Sequence, residues 1–288
     1  IYIITVPTPI DSENQPDLRA IMKSTESIGS VLKKGDTVIY ESTVYPGLTE
    51  EVCVPILEKR SNLVANKDFF YGYSPERINP GDHQHRLEDI IKVTSGSNQA
   101  STDNIDKLYR SIIKAGTHKV YDVRVAEASK VIENIQRDVN IALVNELSVI
   151  FNKLGIDTEE VLKAAETKWN FHNYRPGLVG GHCIGVDPYY LRYKAMSEGI
   201  NPTIIDAGRA INEFMSEFVM SEVINLMEQK KISIDNSNIL ILGFSFKANV
   251  PDYRNTKVVD LYKHFDRKAS KTQIFDPIVD KAAVKEEY

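Results

Sequence analysis

Cysteine is the scarcest chemically active residue in this chain: two, Cys53 and Cys183, among 288 residues. A pair so sparse and so far apart excludes a disulfide framework and a cysteine-built zinc site, and no metal is expected. Positive charge is short as well, with 35 Lys and Arg against 40 Asp and Glu and a net charge of −5. No basic cluster stands out as a phosphate footprint, so nucleic acid is not an expected partner. No apolar run approaches the ~18 to 20 residues of a membrane span, and no basic-then-apolar leader is seen. The expectation is no membrane association and a cytoplasmic setting with reduced thiols. Also missing is any Gly-x-Gly-x-x-Gly, the turn by which a dinucleotide-binding domain is read from sequence. The chain opens at Ile1 inside a strand-like run and closes at Tyr288 just after another strand signal. It is therefore expected to be an internal piece of a longer protein.

What is present is concentrated in one stretch, Arg175-Pro-Gly-Leu-Val-Gly-Gly-His-Cys-Ile-Gly-Val-Asp187. Gly177, Gly180, Gly181 and Gly185 free the backbone to take positive φ and to approach a ligand closely. Cys183 sits among them and Asp187 follows four residues later. A thiol and a carboxylate on a glycine loop suit a reaction centre; a glycine-rich connector around an inert cysteine is the competing reading. Reactivity is decided by environment, so the loop alone does not choose.

The first third alternates short β-rich runs with helical stretches, the pattern of a parallel α/β sheet. Strands are expected at residues 1–6, 37–40, 69–73, 90–94 and 118–121, with helices at 17–32, 48–59 and 101–114 between them. Ligands of such sheets sit beyond the carboxyl ends of the strands. There the sequence places Pro7-Thr8-Pro9, Ser42-Thr43-Val-Tyr-Pro46 and Ser74-Pro-Glu76-Arg77. Hydroxyls, a carboxylate and stiff proline turns at three successive strand ends favour a ligand edge.

A long helical signal follows, residues 123–154, long enough at 1.5 Å per residue to span about 45 Å. It is apolar around much of its circumference and should be largely buried. Lys130, Asn134 and Asn145 share one face of it, and buried polar groups need partners. Those partners are either a ligand or groups within the fold. Further helices are expected at 158–167, 188–198 and 202–230. The last part, Asn238 to Tyr288, opens a second α/β unit, with strands near 238–243 and 273–276 and a helix near 255–264. Lys247 and Arg254, at the mouth of its first strand, are candidates to bind phosphate groups; ordinary surface cations are the alternative.

Seven segments in order carry a resemblance that spans nearly the whole chain. They are Val6-Pro-Thr-Pro9, Glu41-Ser-Thr-Val44, Ser74-Pro-Glu-Arg77 with Asn79-Pro-Gly-Asp82, Glu127-Ala-Ser-Lys-Val-Ile-Glu-Asn134, Gly180-Gly-His-Cys-Ile-Gly-Val-Asp-Pro188, Ala207-Gly-Arg-Ala-Ile-Asn212, and Gly243-Phe-Ser-Phe-Lys247 with Arg254. The chain resembles the UDP-sugar 6-dehydrogenases. Its Pro-Glu-Arg-Ile-Asn-Pro-Gly and Gly-His-Cys-Ile forms look like the UDP-N-acetylhexosamine branch. Lys168-Trp-Asn170 with Arg175-Pro-Gly-Leu-Val looks closest to enzymes of UDP-N-acetylglucosamine or its galacto epimer, which serve surface and capsular polysaccharide synthesis.

The resemblance implies two Rossmann-like parallel-sheet domains joined by a central all-helical domain with one long helix. Residues 1–122 would be the C-terminal part of the NAD-binding domain, 123–232 the helical catalytic and dimerisation domain, and 233–288 the start of the UDP-sugar-binding domain. NAD would be the cofactor, a UDP-sugar the substrate, and a homodimer through the central helices the assembly. The implied reaction oxidises the sugar C6 alcohol to a carboxylate in two hydride transfers. Asp187, through a water, would serve as base with Lys130 and Asn134 at the developing oxyanion. Cys183 would add to the aldehyde and carry a thioester. Glu76 with Asp187 would handle protons in its hydrolysis, and Thr43 would position the water. Val6, Thr8, Ser42, Thr43, Glu76 and Arg254 would face the cofactor. Glu76, Arg77, Lys130, Asn134, Tyr174, Gly180 and Lys247 would face the substrate.

Two departures stand out: Gly185 replaces a proline found after Cys-Ile in some branches, and Pro80 replaces a carboxylate that the glucose enzymes carry four residues after Glu76. Alternatives within the family are UDP-N-acetylmannosamine or UDP-glucose. Outside that chemistry stand a non-catalytic fragment and a cysteine hydrolase using Cys183 with His182. On an extended backbone those two neighbours would point apart, which disfavours the hydrolase.

Overall fold

The computed structural model describes residues 1–79, 81–82 and 84–287; Pro80 lies outside the described residues. The chain divides into two compact units, Ile1–Asn134 with Val186–Pro202, and Ile135–Gly185 with Thr203–Tyr288.

The first unit is a five-stranded sheet in sequence order. Its strands are β1 (Tyr2–Ile4), β2 (Thr37–Tyr40), β3 (Phe70–Tyr73), β4 (Lys92–Gly96) and β5 (Thr117–Lys119), with helices α1 (Arg19–Gly29), α2 (Val54–Ser61) and α3 (Gln99–Arg110). β1, β2 and β3 are parallel, as expected. β4 is not: it runs antiparallel to β3, with Gly72 opposite Gly96. A parallel return needs a crossover, usually a helix. Among the described residues the segment between β3 and β4 forms the single 3-10 turn Leu87–Asp89, and the chain doubles back. The glycine pair makes this approach feasible, because a Cβ on Gly72 would stand 2.3 Å from the Ser95 carbonyl oxygen.

Helix α2 also departs from expectation. It is preceded by a wide π-turn at Thr49–Cys53, and only from Val54 does it wind as α. Pro55 has no N–H to give to the residue four before it, which fits a change of winding here. Helix α3 begins on a reciprocal cap in which the Asn98 side chain accepts from the Ser101 N–H at 2.9 Å. Its apolar face buries Ile105 and Tyr109 against Ile39 of β2. Full burial of an isoleucine of this kind contributes about 1.5–3 kcal/mol.

Helix α4 (Val123–Leu154) is one uninterrupted run of 32 residues. No Gly or Pro interrupts it, and Gly155, at φ +69°, ends it. The unit boundary falls inside this helix, so its first twelve residues belong to the sheet unit. So does α6 (Asp187–Ser197), which follows α5 (Thr158–Glu166) in the chain. The second unit holds the rest of α4, α5, the glycine loop, α7 (Thr203–Gln229), and the parallel pair β6 (Asn238–Leu242) and β7 (Lys271–Phe275) with α8 (Val258–Asp266) and α9 (Lys281–Glu287). Gly208 of α7 lets that helix approach α4 closely; a Cβ there would already meet Val139 at 3.4 Å. Among the described residues no helix is long and apolar enough to cross a membrane.

Candidate active site

In the first unit the loops beyond β1, β2 and β3 are fastened to one another and to the start of α4. Thr8 donates its hydroxyl to the Thr43 carbonyl at 2.7 Å, and Ser42 donates to the Val6 carbonyl at 2.6 Å. Val6, Thr8, Ser42 and Thr43 are thus brought together at the carboxyl edge of β1 and β2, as the strand-end residues suggested. Thr8 and Ser42, both buried, use their protons to tie the two loops together.

Helix α4 receives three of the surrounding segments within its first twelve residues. Glu127, fully buried, accepts the backbone N–H of Gly47 at 2.6 Å and of Thr49 at 3.0 Å. Glu133 pairs with Arg77 at 2.7 Å, and Arg77 also donates to the Ile91 carbonyl at 2.8 Å. Asn134 donates its amide to Asp187 Oδ2 at 2.5 Å. Lys130 lies one turn before Asn134, 9% exposed. Lys130, Asn134 and Asp187 are therefore all buried in this unit, and the hydrogen bond joins two of them. The four-residue spacing read from the sequence corresponds to a shared helix face.

Electrostatics here favour neutral forms behind the charged edge. Burial pushes the Glu127 carboxyl up to about 7, against the pull of its hydrogen bonds from Thr49 and Gly47. Tyr73 is driven well above the usual phenol range by burial first, then by the nearby charges of Glu127 and Asp187. Cys53 is buried, and burial raises its thiol to about 12, which favours the neutral thiol over the thiolate.

Glu76 sits beyond β3 with Oε1 accepting the N–H groups of Arg77 and Ile78 at 2.6 and 2.7 Å. Its Oε2 faces Lys92 Nζ at 3.4 Å. Sequence reading passed over Lys92, Glu127 and Glu133. A lysine in the middle of Ile90-Ile-Lys-Val-Thr94, an otherwise apolar strand, was the available signal for the first of them.

The glycine loop belongs to the second unit, where Tyr174, Gly180, Cys183, Lys247 and Arg254 are found. Cys183 is exposed. A Cβ on Gly180 would stand 2.6 Å from the Asn255 carbonyl oxygen, and one on Gly181, at φ +92°, 2.8 Å from the Phe246 ring. These two glycines seat the loop against the segment that carries Lys247 and Arg254. Arg254 makes a two-pronged pair with Asp252 at 2.9 and 2.6 Å. Tyr174 donates its hydroxyl to Gln136 Oε1 at 3.4 Å. Residues 182–186 adopt turns, not the extended backbone assumed for the His182–Cys183 pair. His182 is half-buried, and burial, then the positive charge of Arg254, lowers its pKa.

Buried polar groups hold both ends of the loop. Asn145 accepts the Gly177 N–H at 2.8 Å and donates to the Gly177 carbonyl at 3.1 Å, while also donating to Asn212 Oδ1 at 2.8 Å. Asn212 donates to the Asp138 carboxylate at 2.8 Å. Arg209 stands 3.5 Å from that carboxylate and donates to the Ile184 carbonyl at 3.3 Å. Of the two readings open for Asn145, partners within the fold are the ones it has.

Comparison with known proteins decides the lineage. Three parts of the UDP-glucose/GDP-mannose dehydrogenase family match in order: the NAD binding domain over residues 1–113, the central domain over 124–214 and the UDP binding domain over 240–288. A UDP-N-acetyl-D-glucosamine 6-dehydrogenase of Pseudomonas aeruginosa is 59% identical over 288 residues, 100% of this chain and 68% of the relative. The chain belongs to the UDP-glucose/GDP-mannose dehydrogenase family. Protein CapL of Staphylococcus aureus is 53% identical over 98% of this chain and 67% of its own length. Among solved structures, the UDP-D-ManNAc dehydrogenase of Pyrococcus horikoshii superposes with a TM-score of 0.89 at 30% identity, covering 96% of this chain and 65% of that one. The chain thus spans about two thirds of the length of the proteins it matches.

Members of this dehydrogenase family are NAD-dependent oxidoreductases, and NAD is the cofactor of the first domain. The residues present fit the carboxamide and ribose hydroxyls at the nicotinamide end of that cofactor. Backbone groups and the hydroxyls of Thr8 and Ser42 line the edge of β1 and β2, where neutral donors and acceptors suit a nicotinamide and its ribose.

Proposed function

We propose that the protein carrying this chain oxidises the C6 alcohol of UDP-N-acetylglucosamine, or its galacto epimer, to the uronate in two steps. The observation that carries the reading is the bonded pair Asn134–Asp187 beside Lys130, on a family frame whose full-chain relatives include UDP-N-acetyl-D-glucosamine 6-dehydrogenases. NAD, when bound, would supply the hydride acceptor for both oxidations. Asp187 takes the hydroxyl proton through a water, and Lys130 and Asn134 stabilise the oxyanion. The Cys183 thiolate adds to the aldehyde carbon to give a thiohemiacetal, whose oxidation leaves a thioester. Water, positioned by Thr43, attacks the thioester carbonyl; the C–S bond breaks and the thiol is regenerated. Glu76 and Asp187 exchange the protons of that step.

Around this centre Val6, Thr8, Ser42 and Arg254 serve the cofactor, while Arg77, Tyr174, Gly180 and Lys247 serve the substrate. The working division is then 1–122 for NAD, 123–232 for catalysis and dimerisation, and 233–288 for UDP. The setting is the cytoplasm, the product a precursor of surface or capsular polysaccharide. The full-length protein, given UDP-N-acetylglucosamine and NAD, is expected to form two NADH per sugar consumed. One NADH per sugar would overturn the two-step chemistry; preference for the manno epimer or for UDP-glucose in a substrate panel would reassign the sugar. No turnover of any UDP-hexose would favour a non-catalytic role.

A further inference from the structure

Strand β4 is buried along its whole length, yet its first residue is a lysine. The Lys92 side chain is 4% exposed, and its ammonium lies 3.2 Å from Glu41 Oε2 and 3.4 Å from Glu76 Oε2. It also stands 5.0 Å above the Tyr109 ring, and the Tyr109 hydroxyl donates to Glu41 Oε1. Lys92 is thus enclosed by two carboxylates and an aromatic face. Desolvating an ammonium costs several kcal/mol, and an apolar residue of similar volume at a buried pair is often neutral or stabilising. Packing alone therefore gives no reason for a lysine here.

The arrangement is also directional. Glu76 is 40% exposed on its side chain, against 13% for Glu41. Lys92 approaches Glu76 from the protein side, and the backbone N–H groups of Arg77 and Ile78 fix its other oxygen. All three donors are N–H groups, so both carboxylate oxygens act as acceptors at this point. A carboxylate held from behind in this way is kept ionised and fixed in orientation, with its remaining lone pairs available on the exposed side.

We propose that Lys92 is a positioning residue for Glu76, fixing its carboxylate as the base that takes the proton of the water attacking the Cys183 thioester. The proposal rests on the two-step oxidation above. In this step one O–H bond of water breaks and its proton passes to Glu76. The water oxygen bonds to the acyl carbon, the C–S bond breaks, and the sulfur leaves as thiolate; no oxidant or reductant is consumed. Glu41 and Tyr109 complete the cradle: Tyr109 holds one Glu41 oxygen while the other holds Lys92. Loss of Lys92 should therefore slow hydrolysis while leaving the hydride transfers intact.

The test uses the full-length enzyme with UDP-N-acetylglucosamine and NAD. Lys92→Met is expected to retain a rapid burst of about two NADH per site, with steady-state acid formation reduced roughly 10- to 100-fold, within or below the range of a general base itself. KM for the sugar should fall together with kcat so that kcat/KM changes little, the pH profile of kcat should move, and a sugar adduct on Cys183 should accumulate in intact-protein mass spectra. Lys92→Arg should recover part of the rate. Wild-type steady state and pH profile in a folded Lys92→Met would overturn the proposal, as would a loss of the burst equal to the loss of turnover. If Lys92→Met fails to fold, the charge-balanced Lys92→Met/Glu41→Gln double variant is read in the same way, with the same two outcomes decisive. A wild-type enzyme that gives neither two NADH nor a Cys183 adduct would fail the parent reading, and the Lys92 proposal with it.

Discussion

Glu127 shows at the level of one residue how position and chemistry pull in opposite directions. Its two backbone donors call for an accepting carboxylate, while burial disfavours charge and holds the pKa at about 7. Around it stand Glu50 and Cys53 from the π-turn, Tyr73 from β3 and Arg124 from its own helix. Because the folded pKa lies above the unfolded one, protonation is favoured by folding. The contribution is full below about pH 4.5 and is lost as pH rises through about 7. The loss is on the order of 3 kcal/mol. Glu127→Gln removes this titration. The unfolding free energy of wild type minus Glu127→Gln, from urea melts, should therefore fall between pH 5 and pH 8; a constant difference would show that Glu127 does not titrate in this range.

Cys183 makes the complementary prediction for chemistry. A serine hydroxyl is a far weaker nucleophile than a thiolate and a far worse leaving group. Cys183→Ser should lower acid release on the order of a hundredfold or more; acid release at the wild-type rate would remove the thioester. Cys53→Ala tests the other thiol: activity should stay, with some loss of stability from the small buried cavity. Lost activity in folded Cys53→Ala protein would contradict its inert assignment.

Among elements, α4 and the glycine loop carry the argument. The spacing of Lys130 and Asn134 made their shared face legible in the sequence, because helix geometry is periodic. What α4 holds there was not legible. Glu127 bonds to backbone that lies about eighty residues earlier, and Glu133 to an arginine beyond β3; no local pattern encodes such long-range partners. The antiparallel turn of β4 was hidden for a related reason, since a strand's direction depends on its connection and not on its own residues.

The sequence marked Asn145 as a buried polar group in need of partners, but not that Asn212, Asp138 and Arg209 join it in securing both ends of the Cys183 loop. Removing Asn145 would strip the Gly177 N–H of its acceptor and Asn212 of a donor. Asn145→Ala should cost about 1–3 kcal/mol, chiefly for the buried Asn212 oxygen left without its donor. Amide exchange at Gly177 should rise more than at α8 amides; equal acceleration at both sites would mean general loosening and no specific tether.

For the whole molecule, the open question is where the apolar surface of the helices goes. Ile132, Leu143 and Ile150 of α4 are 52%, 53% and 44% exposed, although the sequence pattern of this helix predicted burial. Single exposed apolar residues are ordinary, but a long helix repeating them is the pattern of an interface. A second copy of the chain, packed through the central helices, would cover them, in keeping with the homodimer that the family resemblance implies. Leu143 is the most exposed of the three, so replacing it should disturb assembly before it disturbs the fold. The full-length protein should run at twice its chain mass in light scattering coupled to size exclusion. Leu143→Glu should shift it toward the monomer with unchanged helical circular dichroism. A charge forced into an interface core costs several kcal/mol unless it is paired. An unaltered dimer in Leu143→Glu would move the interface away from α4, and a monomeric parent protein would remove it.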